Sequence, residues 1–228
     1  YVTNQINLNI SWNSINSATG VNVGAAGFRG VFADFTWNAA GGNFTNAITN
    51  NTILLNSAAT TGVFEGIGQT YSAGFIAPVA GITLNINQNT ISSTLTGVAS
   101  ASTVAGIVNS FPAGVLNISN NIIKGNTSTA TTAGFTGISN TAAAANINIL
   151  NNQLGDAGTD AITFNAATNG AVLGISSTNP LASVASTAVS INGNSFTRFV
   201  HAVTGTSTHS YISVTTNIAP VTQNINNN

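Results

Sequence analysis

The chain has 228 residues, of which three are Lys or Arg, four Asp or Glu and two His, with neither cysteine nor methionine, so only 3% of it is charged where roughly 25% is usual. A net charge of -1 with Arg29, Lys124 and Arg198 as the cations cannot neutralise a run of phosphates, which excludes nucleic acid and anionic membrane surfaces as partners. Lack of cysteine removes disulfides and thiolate sites, no apolar run approaches the ~20 residues of a membrane-spanning helix, and a 43% hydrophobic content argues against disorder.

Along the chain, strands are expected where Ile, Val or Leu alternate with polar residues at a period of two, and each such run leads into asparagine and one more apolar residue. Ile6 to Ile10 leads to Asn13-Ser14-Ile15, Phe44 to Ile48 leads to Asn50-Asn51-Thr52-Ile53, and Ile82 to Ile86 leads to Asn89-Thr90-Ile91. Val115 to Ile118 leads to Asn120-Asn121-Ile122-Ile123, Ile147 to Ile149 leads to Asn151-Asn152-Gln153-Leu154, and Val189 to Ile191 leads to Asn194-Ser195-Phe196. A partial copy runs from Val221 to Asn228. Aligned on Asn13, Asn51, Asn89, Asn121, Asn152, Asn194 and Asn227, the copies recur every 31 to 42 residues, a period typical of solenoids and arrays. The spacing of a helix face is absent, as are the charged helix formers of helical repeats.

A second phrase, glycine beside an apolar residue, follows each asparagine corner: Gly27-Phe28-Arg29-Gly30-Val31, Gly62-Val63-Phe64-Glu65-Gly66-Ile67, Ala105-Gly106-Ile107 and Gly134-Phe135-Thr136-Gly137-Ile138. In the last two repeats Asp160-Ala161-Ile162 and Val200-His201-Ala202-Val203 are read in its place. Each repeat then offers two or three short strands, one coil of a β-helix. The expected fold is all-β: a right-handed parallel β-helix of about six coils, one domain over residues 1–228, with asparagine corners. The longest insertions, Gly66 to Gly81 with Pro78 and Gly170 to Thr187 with Pro180, are expected to leave the coil as side loops.

Stacking explains the composition. Equivalent residues of successive coils lie ~4.8 Å apart, so a charge would face its own copy. A corner asparagine is expected to do two jobs, accepting the left-handed backbone of the bend and hydrogen-bonding its amide to the asparagine of the next coil. A β-sandwich with generic turns is the alternative, but it does not require seven copies in the same internal order.

Chemistry is sparse. Asp34 and Glu65 follow the corner in successive repeats and are weighed as a carboxylate pair, which glycoside cleavage requires at ~5–9.5 Å. Asp156 and Asp160, in Gly155-Asp156-Ala157-Gly158-Thr159-Asp160, are weak calcium candidates in an oxygen-rich loop. His201 and His209 bracket Thr204 to Thr208 without a nucleophile elbow, and Arg29, Lys124 and Arg198 read as isolated. Asn9, Asn43, Asn50, Asn117 and Asn126 begin N-x-[ST] tripeptides, which this composition produces by chance. No catalytic residue, cofactor or metal is assigned, and the protein is not expected to be an enzyme.

The phrase Leu116-Asn117-Ile118-Ser119-Asn120-Asn121-Ile122-Ile123 and its copies resemble the parallel β-helix repeats of the pectate-lyase-like superfamily over essentially the full chain. The low charge, the Asn/Thr/Ala/Gly composition and stretches such as Ser195-Phe196-Thr197-Arg198-Phe199-Val200 are similar to the long repeat adhesins exported to bacterial surfaces by type IX secretion. That resemblance implies an extracellular stalk or filament segment that binds through side loops. Expected partners are neighbouring coils or identical subunits stacked end to end, and a surface glycan or protein. Because the chain opens and closes in mid-phrase, a longer array is expected. A polysaccharide lyase or hydrolase, tailspike-like, is the alternative reading, and an ice-binding β-helix the second.

Overall fold

The computed structural model describes residues 2–3, 7–17, 28–35, 43–71, 80–97, 101, 103–179, 188–216 and 222–228. Among these there is no helix, and the strands form three sheets in which every pairing is parallel. The chain visits the sheets in rotation. Phe64–Tyr71 lies in the first, Ile82–Asn87 in the second and Thr90–Leu95 in the third, and Val104–Asn109 then returns to the first. The first and second sheets hold seven strands each and the third holds nine, because Ile122–Ile123 and Asn126–Ser128 both pair with Thr90–Leu95 after a corner at Lys124-Gly125. These features are those of a parallel β-solenoid.

Period-two alternation sets the faces. Ile82–Asn87 buries its first, third and fifth residues, and Thr90–Leu95 buries its second, fourth and sixth. The change of phase falls on Gln88, whose φ of 58° turns the chain between the two sheets. Inward residues stack on their own kind: Ile10, Ile48, Ile86, Ile118, Ile149, Ile191 and Ile225 pair in sequence down the second sheet. Ile48, Ile86, Ile118, Ile149 and Ile191 are fully buried, each side chain contributing about 2–3 kcal/mol by removal from water. In the third sheet Ile15, Ile53, Ile91, Ile123, Leu154 and Phe196 form the corresponding column.

That third-sheet column packs on a line of glycines in the first sheet. Gly30, Gly66, Gly106, Gly137 and Gly174 occupy equivalent places in successive strands. A Cβ on Gly106 would sit 2.5 Å from the Gly137 carbonyl oxygen and 2.8 Å from Ile123 Cδ1. Glycine is there because backbone and isoleucine converge on the space a side chain would take.

Two sequence readings change here. The glycine phrase continues in the last repeats not at Asp160-Ala161-Ile162 and Val200 to Val203, which belong to the third sheet or its corner, but at Val172-Leu173-Gly174-Ile175 and at Ser210-Tyr211-Ile212. The expected insertions are also shorter: Gly66 to Tyr71 and Val172 to Asn179 complete strands of the first sheet. Pro78, Pro180 and the rest of both expected loops, apart from Ala80, Gly81, Gly170 and Ala171, lie outside the described residues.

Candidate functional site

An asparagine ladder runs the length of the described solenoid. The side-chain oxygen of Asn51 accepts from the backbone N–H of Asn13 at 3.0 Å and from its amide at 2.9 Å. The same double contact joins Asn51 to Asn89, Asn89 to Asn121, Asn121 to Asn152 and Asn152 to Asn194, all between 2.9 and 3.0 Å. From Asn51 to Asn194 the second amide hydrogen of each asparagine donates to an isoleucine carbonyl of the preceding coil, as from Asn121 to Ile86 at 2.8 Å, whereas Asn13 donates to the Ser11 carbonyl. Asn51, Asn89, Asn121, Asn152 and Asn194 are buried, and a buried amide with every donor and acceptor paired carries no desolvation penalty.

The last ladder position belongs to Asn228, not Asn227: Asn228 Oδ1 accepts from the Asn194 backbone and amide at 3.1 and 2.9 Å. Asn227 instead has a φ of 53°. The two jobs expected of one residue are divided between neighbours throughout. Trp12, Asn50, Gln88, Asn120, Asn151, Gly193 and Asn227 take the left-handed backbone, and the residue after each makes the ladder. The position tolerates several residue types because its side chain points to solvent, whereas the next admits only the amide.

Two shorter ladders were not foreseen. Asn117 donates to Asn85 and Asn148 donates to Asn117, at 2.8 and 2.9 Å, on the outer face of the second sheet. Asn109 donates to Asn140 at 2.9 Å inside the first-sheet corner, and each binds the carbonyl two residues on, at Phe111 and Ala142. Their signal was present as Asn at equal distance from successive corners. Gln69 precedes Asn109 in that column; its side-chain amide is buried and has no hydrogen-bond partner. Of the N-x-[ST] asparagines, Asn117 is committed to its ladder, and Asn126 is buried, donating to the Ala161 carbonyl.

The three cations are not isolated. Register brings Arg29 beside Glu65, Lys124 reaches Asp156, and Arg198 reaches Asp160, at 2.7, 2.7 and 2.5 Å. Asp156 Oδ1 also accepts the N–H groups of Gly158 and Thr159. Lys124 and those N–H groups hold its pKa down to about 2. Asp160 accepts the Thr163 hydroxyl at 2.5 Å, which with Arg198 keeps its pKa low. The two calcium candidates are therefore each paired with a cation of a neighbouring coil, and the four groups together carry no net charge. Among the described residues no three His, Asp or Glu groups gather where a metal ion would sit.

Asp34 pairs in register with Thr70, five residues along the strand from Glu65. At ~3.3 Å per residue and one ~4.8 Å strand spacing the two positions are roughly 17 Å apart along the backbone, beyond the spacing of a glycosidase pair. His201 and His209 do meet, Nε2 to Nε2 at 2.9 Å, with the His201 ring stacked 4.8 Å from Phe164. Burial and the neighbouring ring lower the pKa of His201.

Glu65 is the buried acid of the described residues. Its side chain is 11% exposed, and burial raises its pKa against the opposing effect of Arg29. The Arg29 guanidinium in turn lies 4.2 Å from the centre of the Phe32 ring. Gly68 leaves the room that the carboxylate occupies. Beside Glu65, on the outer face of the first sheet, a pit of about 330 Å³ opens over Ala105 and Val108 and is bounded by Val63, Thr136 and Ser139. No protein-family model matches this chain, and neither a curated protein nor a solved structure is found to resemble it.

Proposed function

We propose that this chain is a right-handed parallel β-helix segment of about six coils that serves as a stiff, adhesive stalk element of an exported bacterial surface protein. The reading places it beside the pectate-lyase-like β-helices in fold and beside type IX-secreted repeat adhesins in use. It follows from one observation above all, the ladder from Asn13 to Asn228, in which each coil is bonded to the next by the same amide contacts. A structure bonded in this way resists bending and shear along its axis, and its outer faces and side loops are left to hold a glycan or protein partner. A further coil, of the same chain or of a second copy, would meet Asn13 or Asn228 with the same contacts. Exposed Ile225 and Tyr211, with Phe196 and Ile212 beside a cavity of about 370 Å³, give that end an apolar surface for such stacking.

The test is negative-stain electron microscopy and sedimentation of the 228-residue chain over a rising concentration series. End-to-end rows of constant width are expected, without release of reducing ends from a polysaccharide panel. Particles that stay monomeric at millimolar concentration would remove the stacking, and glycan cleavage would replace the stalk by an enzyme.

A further inference from the structure

The pit beside Glu65 lies on the outer face of the first sheet, where register sets Ala105 between the taller Glu65 and Thr136. Glu65, Ala105 and Thr136 lie side by side on successive strands, as do Gly68, Val108 and Ser139. From Glu65 to Thr136 is two strand spacings, ~9.6 Å between backbones, with Ala105 as the floor between them. The width and the volume of about 330 Å³ admit a six-membered sugar ring.

Its chemistry is mixed in a particular way. Ala105, Val108 and Val63 offer an apolar floor, while Thr136 and Ser139 bring hydroxyls that both donate and accept. Glu65 offers a carboxylate with about four lone-pair directions, one of which holds Arg29 Nε at 2.7 Å. Among the described residues the charge that lines the pit is Glu65, and Arg29 pairs with it at 2.7 Å, so a charged ligand meets no net counter-charge. A ligand with a C–H face below and hydroxyls around its edge satisfies every group. Such sites occur where a few placed polar groups ring an apolar surface.

We infer that the pit between Glu65 and Thr136 binds a single neutral pyranose unit of a glycan, its C–H face on Ala105 and Val108 and its hydroxyls on Glu65, Thr136 and Ser139. The inference rests on the adhesive reading but does not depend on stacking, since the pit lies on the side of the solenoid and not at its end.

The experiment is a titration of the isotopically labelled 228-residue chain with methyl β-D-glucopyranoside, methyl β-D-galactopyranoside and methyl α-D-mannopyranoside, followed through backbone amide shifts. At least one should give saturable shifts at Ala105, Val108 and Thr136 with a Kd on the order of 1–10 mM, the range for a ligand of this size. The Kd should be the same in 50 and 500 mM NaCl. Ala105→Phe, which fills the pit, should abolish the shifts. Thr136→Val, which keeps its volume, should weaken binding about five-fold or more, for loss of a neutral hydrogen bond. Preserved amide dispersion will show that both variants fold.

No saturable shift with any glycoside up to 100 mM overturns the proposal. So do shifts that persist in Ala105→Phe, or tighter binding of glucosamine or glucuronate than of the neutral sugars. Failure here leaves end-to-end rows intact, whereas failure of the stalk reading removes the rows and leaves the titration unchanged.

Discussion

Replacing Asn121 by alanine removes four side-chain hydrogen bonds from the middle of the ladder. Two are accepted from the Asn89 backbone and amide, at 2.9 and 3.0 Å, and two are donated, to Asn152 Oδ1 at 2.9 Å and to the Ile86 carbonyl at 2.8 Å. Asn152 Oδ1 keeps its contact from the backbone N–H of residue 121. The Asn89 backbone N–H is left buried with nothing to bind, at a cost of about 1–3 kcal/mol, while its amide keeps the Ile48 and Asn87 carbonyls and the other three lost bonds add about 0.5–1 kcal/mol each. Their sum, roughly 3–5 kcal/mol, is at the upper end of single-residue effects.

Asn13→Ala is the control: its side chain donates to Asn51 and Ser11 but is exposed, so water replaces the lost contacts and the cost should stay below about 1 kcal/mol. Asn121→Asp sharpens the comparison further. It keeps the accepting oxygen but turns a second oxygen on Asn152 Oδ1 and the Ile86 carbonyl, two acceptors, and buries a charge. It should be worse than alanine at pH 7 and recover part of the loss below pH 4. Solenoids open by parts, so native-state hydrogen exchange at Ile86, Ile118 and Ile149 is the assay, with urea unfolding beside it. Equal protection in Asn121→Ala and Asn13→Ala would refute the reasoning.

Three further outcomes are expected. Gly106→Ala should destabilise by more than about 2 kcal/mol in urea unfolding, because its Cβ meets the Gly137 carbonyl and Ile123, whereas Gly158→Ala, open on all sides but for Asp156, should change little. The folded state holds His201 below its ordinary pKa of 6.5, so neutral His201 contributes stability that is present above pH 6.5 and lost as pH falls through the depressed folded value. Exchange at Ala202 to Tyr211 should therefore quicken on acidification, and His201→Gln should flatten that profile. Glu65 should titrate above 4.5 by carbon-detected NMR, and Arg29→Met should raise it further, since Arg29 opposes the effect of burial.

How much of this was legible in the sequence varies with how far each feature repeats. The isoleucine column and the ladder positions from Asn13 to Asn194 are periodic in both residue type and phase, so alignment alone locates them. Asn227 and Asn228 are both asparagine, and spacing alone could not say which of the two joins the ladder. The glycine phrase after Asn152 was misplaced because the turn at Gly155 to Asp160 lengthens the third-sheet corner and pushes Val172-Leu173-Gly174-Ile175 later in the chain. A stricter pattern of Phe or Val, any residue, Gly, then Ile or Val would have found that copy, but not the last one, where Tyr211 stands at the glycine position. The ion pairs could not be read at all, because whether Arg29 faces Glu65 depends on strand register to a single residue. The pit depends likewise on which outward residues are small on three successive strands.

Because each ladder asparagine bonds its equivalents and an isoleucine carbonyl in the adjoining coils and nothing farther away, the molecule has a natural unit of inheritance. Removal of the 32 residues from Asn89 through Asn120 would bring Asn121 against Asn51 with every donor and acceptor matched, and duplication of the same stretch would do the converse. A change of one residue within a strand would instead turn the side chains beyond it to the other face, whereas the corners absorb length, as the turn at Gly155 to Asp160 does. Length can therefore drift by whole coils or at the corners, while within a strand the sequence is held to its count.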